Sequence, residues 1–128
     1  MNSRLRMAAI LGMIAVILGA LGSHALKERL GADALASFEV GVRYQMIHAL
    51  MILALEGIGQ LSEQSKRIVS RFVLIGVIAF SGSIYLLSTR EITGLEVSFL
   101  GPITPIGGLF LISAWGYLIF KSVTYSPR

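Results

Sequence analysis

Two histidines and one carboxylate, each beside or inside a long apolar run, are the groups of this sequence that could carry chemistry. His48 lies in the run YQMIHALMILALEG, four residues after Tyr44, so both side chains share one face of a helix. His24 follows the first apolar run, and Glu56 ends the second. Titratable groups at membrane depth are costly and usually face a protein interior, where they bind ligands or relay protons.

The two histidines have two interpretations. Neutral imidazole is a common ligand, so His24 and His48 could hold a haem between them. Alternatively, each ring hydrogen-bonds a backbone carbonyl or a tyrosine and fixes a contact between helices. Two histidines without a nearby acidic or third nitrogen ligand make a poor metal site. We therefore predict no metal and no cofactor, and keep haem as the less favoured alternative.

Glu56 also has two interpretations. An intramembrane carboxylate is often a proton or cation relay. Glu56 is close to the polar segment LSEQSKR, however, so a basic residue at the cytoplasmic interface could neutralise it, namely Lys66, Arg67 or Arg71. We expect this second role. We predict no catalytic residues, since the only aspartate, Asp33, lies in a connection and no Ser/His/Asp arrangement is evident.

The composition is that of a membrane protein. Of 128 residues, 55% are hydrophobic and only 14% charged, and the mean hydropathy is +0.77. Soluble chains carry about a quarter charged residues. The chain has no cysteine, which excludes disulfides and thiolate chemistry. Its net charge of +4 comes from residues at the ends of apolar runs, without interleaved aromatics, so we predict no nucleic-acid partner.

Four apolar runs predict an all-α fold, a four-transmembrane-helix bundle in which residues 1–128 form one integral membrane domain. The spans are predicted at about residues 7–23, 44–60, 72–87 and 102–120. We interpret the first run as a span and not as a signal peptide. Lys and Arg favour the side of the termini by 7 to 4, counting Arg128, so we expect both termini in the cytoplasm.

The connections predict capping and an interfacial helix. The first connection alternates apolar and charged residues at helical spacing, which indicates a short interfacial helix ended by Gly31, with Asp33 as the N-cap of the next helix. Glu39 and Arg43 are four residues apart and predict an ion pair. Ser62 is the predicted N-cap of the third span.

Small residues predict close helix packing. In the first span they recur every three or four residues and form one stripe on which another helix can approach closely. The third span has a shorter version of this pattern, and the glycines of GPITPIGG break the helix and let the fourth span pack tightly. The predicted packing glycines are Gly12, Gly19, Gly22, Gly76, Gly107 and Gly108.

The predicted topology brings polar groups of all four spans to one leaflet, the outer one. This convergence is the main functional signal that the residues themselves give, and it predicts a polar cluster that holds the bundle or a ligand. Its members are His24, Tyr44, His48, Ser83, Tyr85 and Thr104.

The motifs LGALGSHALKERL, VRYQMIHALMILAL, FSGSIYLLS and GPITPIGG, with the following AWGYLIF, occur in this order between Leu18 and Phe120, within a resemblance that covers about residues 7–120. In these motifs the chain resembles the domain of unknown function 423 family, which includes the transmembrane protein 256-like proteins. The resemblance implies a four-helix protein of bacterial inner membranes and no established activity.

Three functions are compatible with these features. The first is a structural or accessory membrane subunit, in the lipid bilayer, with a membrane-protein or lipid partner or a second copy of itself. The alternative is a small proton or cation transporter or channel component that uses His48 and Glu56. A haem-binding membrane protein has the least support.

Overall fold

The computed structural model describes residues 2–125, and these are almost entirely helical, with no strand. The α-helices are α1 (Ser3–Leu21), α2 (Ala32–Gly57), α3 (Glu63–Val77), α4 (Ser83–Ser88), α5 (Arg90–Thr93) and α6 (Ile103–Thr124). A π-helical turn, Gly22–Leu26, prolongs α1, a second one, Ile78–Gly82, joins α3 to α4, and a 3-10 turn, Ser98–Leu100, precedes α6. The all-α prediction is confirmed.

Four helical stretches are long and apolar enough to cross a membrane: span 1 (Ser3–Leu26), span 2 (Ala32–Gly57), span 3 (Glu63–Ser88) and span 4 (Ser98–Thr124). Each is longer than predicted because polar residues cap or extend the apolar runs. The side chain of Ser62 accepts a hydrogen bond from the amide of Ser65 at 3.2 Å, as expected of an N-cap. We call the side of the bundle with residues 3, 57, 63 and 124 the termini side.

The first connection differs from the prediction. In place of a separate interfacial helix, the π turn carries span 1 to Leu26, and a turn then leads directly to α2. The physical reason is that Leu26 and Leu30 are buried against Phe38, so this amphipathic segment covers the bundle instead of lying on the membrane. The N-cap of α2 is Gly31, and Asp33 lies in the first helical turn, where a carboxylate interacts favourably with the helix dipole.

The predicted ion pair of Glu39 and Arg43 is wrong. The ion pairs within residues 2–125 involve neither side chain, although both lie on α2 four residues apart. Both are exposed on the surface of span 2. Their spacing allows contact, but contact also requires both side chains to adopt suitable rotamers, so local spacing alone does not decide the geometry.

The third connection is irregular up to Pro102, as predicted. The predicted helix break at the glycines of GPITPIGG is wrong, since α6 runs without interruption from Ile103 through Gly107 and Gly108. The connection holds the short α5, and Gly94 ends this helix with φ 69°, a left-handed conformation that suits glycine. Near span 4, the Oγ of Ser98 donates to the carboxylate of Glu96 at 2.5 Å, and the amide of Ser98 donates at 3.1 Å. These bonds stabilise the charged form and lower the pKa of Glu96.

Spans 2 and 3 form the centre of the bundle. Span 1 packs on span 2 and span 4 packs on span 3, and these two outer spans expose most of their surface. The core between the spans is aliphatic and includes the fully buried Ile52, Leu55, Val69 and Val73. The fold therefore positions side chains of span 2 so that they can reach all three other spans.

The predicted packing glycines differ in how closely a neighbour approaches. A Cβ at Gly107 would overlap the backbone N of Phe80, and one at Gly76 would lie 2.6 Å from the Cδ2 of Leu111. These two positions form the crossing of spans 3 and 4. In span 1, a Cβ at Gly22 would lie 3.2 Å from the ring of Phe38, and one at Gly19 would lie 3.4 Å from Val42. Gly12 and Gly108 have no neighbour closer than 3.8 Å.

Candidate functional site

Gln45 links three spans through its side-chain amide. It is buried, with 3% of its surface exposed. Its Nε2 donates to the backbone oxygen of Leu11 in span 1 at 2.8 Å, and its Oε1 accepts from the hydroxyl of Tyr85 in span 3 at 2.7 Å. Because a polar group in an apolar interior is costly without partners, these two bonds determine how spans 1 and 3 sit on span 2.

His48 links span 2 to span 4. Its ring is buried, the Nε2 accepts a hydrogen bond from the indole N–H of Trp115 at 3.2 Å, and the Nδ1 lies 2.7 Å from the backbone oxygen of Tyr44. Indole only donates, so Nε2 has no proton, and Nδ1 carries the proton that it donates to Tyr44. Both ring nitrogens are thus engaged in the neutral tautomer. Ligation of a metal or haem by His48 requires one of these bonds to break.

Hydroxyl groups form further contacts between spans. The Oγ of Ser83 and the Oγ1 of Thr104 are 2.6 Å apart, which connects span 3 to span 4. The Oγ of Ser81, in the second π turn, donates to the backbone oxygen of Gly41 at 2.7 Å. Tyr44 is exposed, and its ring packs against Phe80 at 5.0 Å between ring centres.

The structure places the six predicted cluster residues in separate contacts. Ser83 pairs with Thr104, Tyr85 with Gln45, and the Tyr44 ring stacks on His48 at 6.2 Å. His24 is exposed, and its side chain makes no hydrogen bond within the described part of the chain. The six residues therefore do not surround one common point.

The depth of His48 also differs from the prediction. His48 follows the first residue of span 2 by 16 positions and precedes the last by nine, which puts it about 24 Å and about 14 Å from the two ends. It lies in the half of the helix nearer the termini side, not in the outer half. Trp115 lies at a matching depth in span 4, nine residues before its last residue.

Glu56 belongs to an ion network on the termini side. Its carboxylate is 2.5 Å from the Nε of Arg4, and the side-chain amide of Asn2 also donates to it. Arg4 contacts Glu63 at 2.6 Å as well, and Glu63 lies 3.5 Å from the Nζ of Lys66. The neutralising residue is thus Arg4 in span 1, not one of the three basic residues that the sequence suggested. Glu56 joins the ends of spans 1, 2 and 3.

Sequence reasoning missed Gln45, Ser81, Trp115 and Arg4 as members of these contacts. Gln45 follows Tyr44 in the same polar stretch, so its presence inside an apolar helix was a usable signal. The other three carry no such signal, because their partners depend on how the helices are rotated and tilted.

Four apolar helices joined by internal polar contacts define an integral membrane protein with four spans. A family model described as "Protein of unknown function (DUF423)" matches residues 18–108. The chain belongs to this family, so the resemblance seen in its motifs is confirmed.

Relatives in several bacteria match along most of their length. The UPF0382 membrane protein YwdK of Bacillus subtilis is 34% identical over 126 residues, covering 93% of this chain and 94% of the relative. The UPF0382 inner membrane protein YgdD of Escherichia coli is 32% identical over 122 residues, covering 91% and 86%. No solved structure matches the chain. The names of these relatives describe membrane proteins, in agreement with the four apolar helices of this chain.

Proposed function

We propose that this protein is a non-enzymatic accessory subunit that binds another membrane protein within the bilayer. The observation that supports this role is the pairing of three interior polar groups with residues of other spans. Gln45, His48 and Ser83 each bond a residue of another span. Groups that bind a substrate converge on a pocket and have donors or acceptors free for the ligand. The donors and acceptors of these three side chains instead form hydrogen bonds within and between the helices.

The cavities support the same role. One, of about 530 Å³, lies on the termini side, lined by residues between Ile58 and Ser65 and between Leu118 and Tyr125. Another, of about 480 Å³, lies at the opposite end and includes Asp33 and Thr104 in its lining. Neither is lined by Gln45, His48 or Glu56, so these cavities do not reach those three groups.

The geometry gives less support to transport. A relay from His48 to Glu56 would have to cover eight residues of α2, about 12 Å. Glu56 is held by Arg4 and Asn2 at the end of the helix, and the ring of His48 is held by Trp115. A proton or cation path through these two residues would require both contacts to open.

The proposed location is the inner membrane of a bacterium, with both termini in the cytoplasm. Basic residues on the termini side support this orientation, among them Arg4, Arg6, Lys66, Arg67 and Lys121. Arg128, which also entered the charge count, lies outside the described residues. A reporter fused after residue 125 should be active only if it is a cytoplasmic reporter such as green fluorescent protein. Activity of an exported phosphatase at that point would contradict the orientation.

Extraction of native membranes into polymer nanodiscs tests the accessory role. A tagged chain should retain one membrane protein at a fixed ratio, and a second, unrelated four-span protein serves as the control for non-specific capture. Val16→Trp in span 1 and Ile112→Trp in span 4 change exposed apolar residues of the outer spans. The variant on the face that binds the partner should retain less of the partner per chain, with its own Tm unchanged. Nanodiscs that contain only this chain and bulk lipid would contradict the proposal.

A further inference from the structure

One face of span 2 is exposed and carries two opposite charges. Its residues recur every three or four positions and form one stripe on the side of α2 that faces away from the core. The exposed stripe of span 4 is apolar and includes Leu109, Ile112 and Ile119. That of span 3 carries basic charges at Arg67 and Arg71. The stripe on span 2, which we call the charged face, carries both an acid and a base. It consists of Ala36, Glu39, Arg43, Ile47 and Leu50.

Arg43 lies too deep to be an ordinary headgroup residue. The ion network of Arg4, Glu56 and Glu63 marks the interface on the termini side. Arg43 precedes Glu56 by 13 positions, which corresponds to about 20 Å along the helix. In a hydrocarbon layer of about 30 Å, its Cα is about 10 Å short of the other interface, and Glu39 is about 6 Å closer to that interface.

Neither charge is neutralised by another residue of the described chain. The ion pairs within residues 2–125 leave out both Glu39 and Arg43. Charged residues in membrane spans almost always face a protein interior or pair with another charge. A partner is therefore needed on this face.

The pattern of charges indicates which partner fits. A face with one acid and one base, four residues apart on parallel helices, is complementary to itself across a twofold axis along the membrane normal. Across this axis the two Glu39 lie at one level and the two Arg43 lie about 6 Å nearer the termini side. Arg43 has the longer side chain and leans towards the N-terminus, so its guanidinium can reach the carboxylate of Glu39 in the other copy. An anionic lipid headgroup fits less well, because Glu39 would repel its phosphate.

We propose that two copies of this chain associate in the membrane through the charged face, with reciprocal Glu39–Arg43 ion pairs. This association is independent of the accessory role, since the surfaces of spans 1 and 4 remain accessible. Ile47 and Leu50 continue the contact towards the termini side and supply apolar packing.

Cysteine cross-linking tests this dimer cleanly, because the chain has no native cysteine. Leu50→Cys lies on the charged face, and Val16→Cys and Ile112→Cys are matched controls on equally exposed positions of spans 1 and 4. A disulfide forms only where the two Cα atoms approach within about 7 Å. In membranes treated with a mild oxidant, Leu50→Cys should form a disulfide dimer about tenfold faster than either control.

Charge reversal then tests the ion pairs. In the Leu50→Cys background, Glu39→Arg and Arg43→Glu should each reduce cross-linking to the level of the controls, and the double exchange Glu39→Arg with Arg43→Glu should restore it. The double variant guards against misfolding of the single variants, because it keeps both charges on the same face.

Three results would overturn the proposal. The first is cross-linking at Val16→Cys or Ile112→Cys as fast as at Leu50→Cys. The second is cross-linking at Leu50→Cys that neither charge reversal reduces. The third is a mass in nanodiscs that corresponds to one chain with a bound anionic lipid, where the Arg43→Gln variant no longer binds this lipid. That result would assign the face to a lipid headgroup.

Discussion

Replacing Gln45 by methionine should destabilise the bundle, because methionine has a similar shape and cannot form the two bonds of the amide. The change removes the contact with the backbone oxygen of Leu11 at 2.8 Å and the contact with the Tyr85 hydroxyl at 2.7 Å. Hydrogen bonds between helices in membranes contribute about 0.6 kcal/mol on average and at most about 1.7 kcal/mol. We expect a loss of about 1–3 kcal/mol, since the Tyr85 hydroxyl also loses its acceptor.

A double-mutant cycle separates the Gln45–Tyr85 bond from general effects of packing. Tyr85→Phe removes the donor, and the two changes together should cost less than the sum of each alone. The coupling energy should be about 0.6–1.7 kcal/mol. The measurement is reversible unfolding in mixed micelles, followed by circular dichroism.

Tyr44→Phe supplies the matched control for this cycle. It is the same chemical change next to Gln45 in sequence, but the Tyr44 hydroxyl makes no hydrogen bond within residues 2–125. Its coupling with Gln45→Met should be close to zero. If the Tyr85 cycle gave no more coupling than the Tyr44 cycle, the role assigned to the amide of Gln45 would be refuted.

Three further predictions concern other contacts. Gly107→Ala should lower the free energy of unfolding by about 1–3 kcal/mol, because its Cβ would overlap the backbone N of Phe80. Gly116→Ala is the control and should not lower it, since Gly116 has no neighbour within 4 Å. Equal melting temperatures of the two variants in detergent would contradict the assigned crossing of spans 3 and 4. Trp115→Phe should cost about 1 kcal/mol, since the Nε2 of His48 loses its donor, and an unchanged unfolding free energy would contradict that bond. Glu56→Gln should leave the proton permeability of proteoliposomes unchanged, because Glu56 pairs with Arg4 at the end of span 2. If the wild-type protein conducted protons and this change abolished the flux, the result would favour the relay.

The number and order of the spans followed from hydropathy, because the bilayer requires an uninterrupted apolar length. The tight crossing at Gly107 was predictable from the small residues of GPITPIGG. Such patterns depend on the local chain only, and the structure agrees with them where local chemistry decides the outcome, as at the Ser62 N-cap.

The contacts of individual side chains were less predictable. The bond between Trp115 and His48 depends on the tilt and rotation of two helices that lie far apart in sequence. Helical periodicity suggested a separate interfacial helix in the first connection, yet burial of Leu26 and Leu30 against Phe38 determined the path of the chain. In the first connection a tertiary contact therefore outweighed a local pattern, whereas for Trp115 and His48 no local pattern indicated the contact.

The bond between Trp115 and His48 gives the protein a built-in optical probe. Trp115 is the only tryptophan of the chain, so intrinsic indole fluorescence reports on a single location, the contact of span 4 with span 2. Circular dichroism reports on all helices together. Comparing the two signals during unfolding therefore distinguishes release of span 4 from loss of helical structure, without any added label.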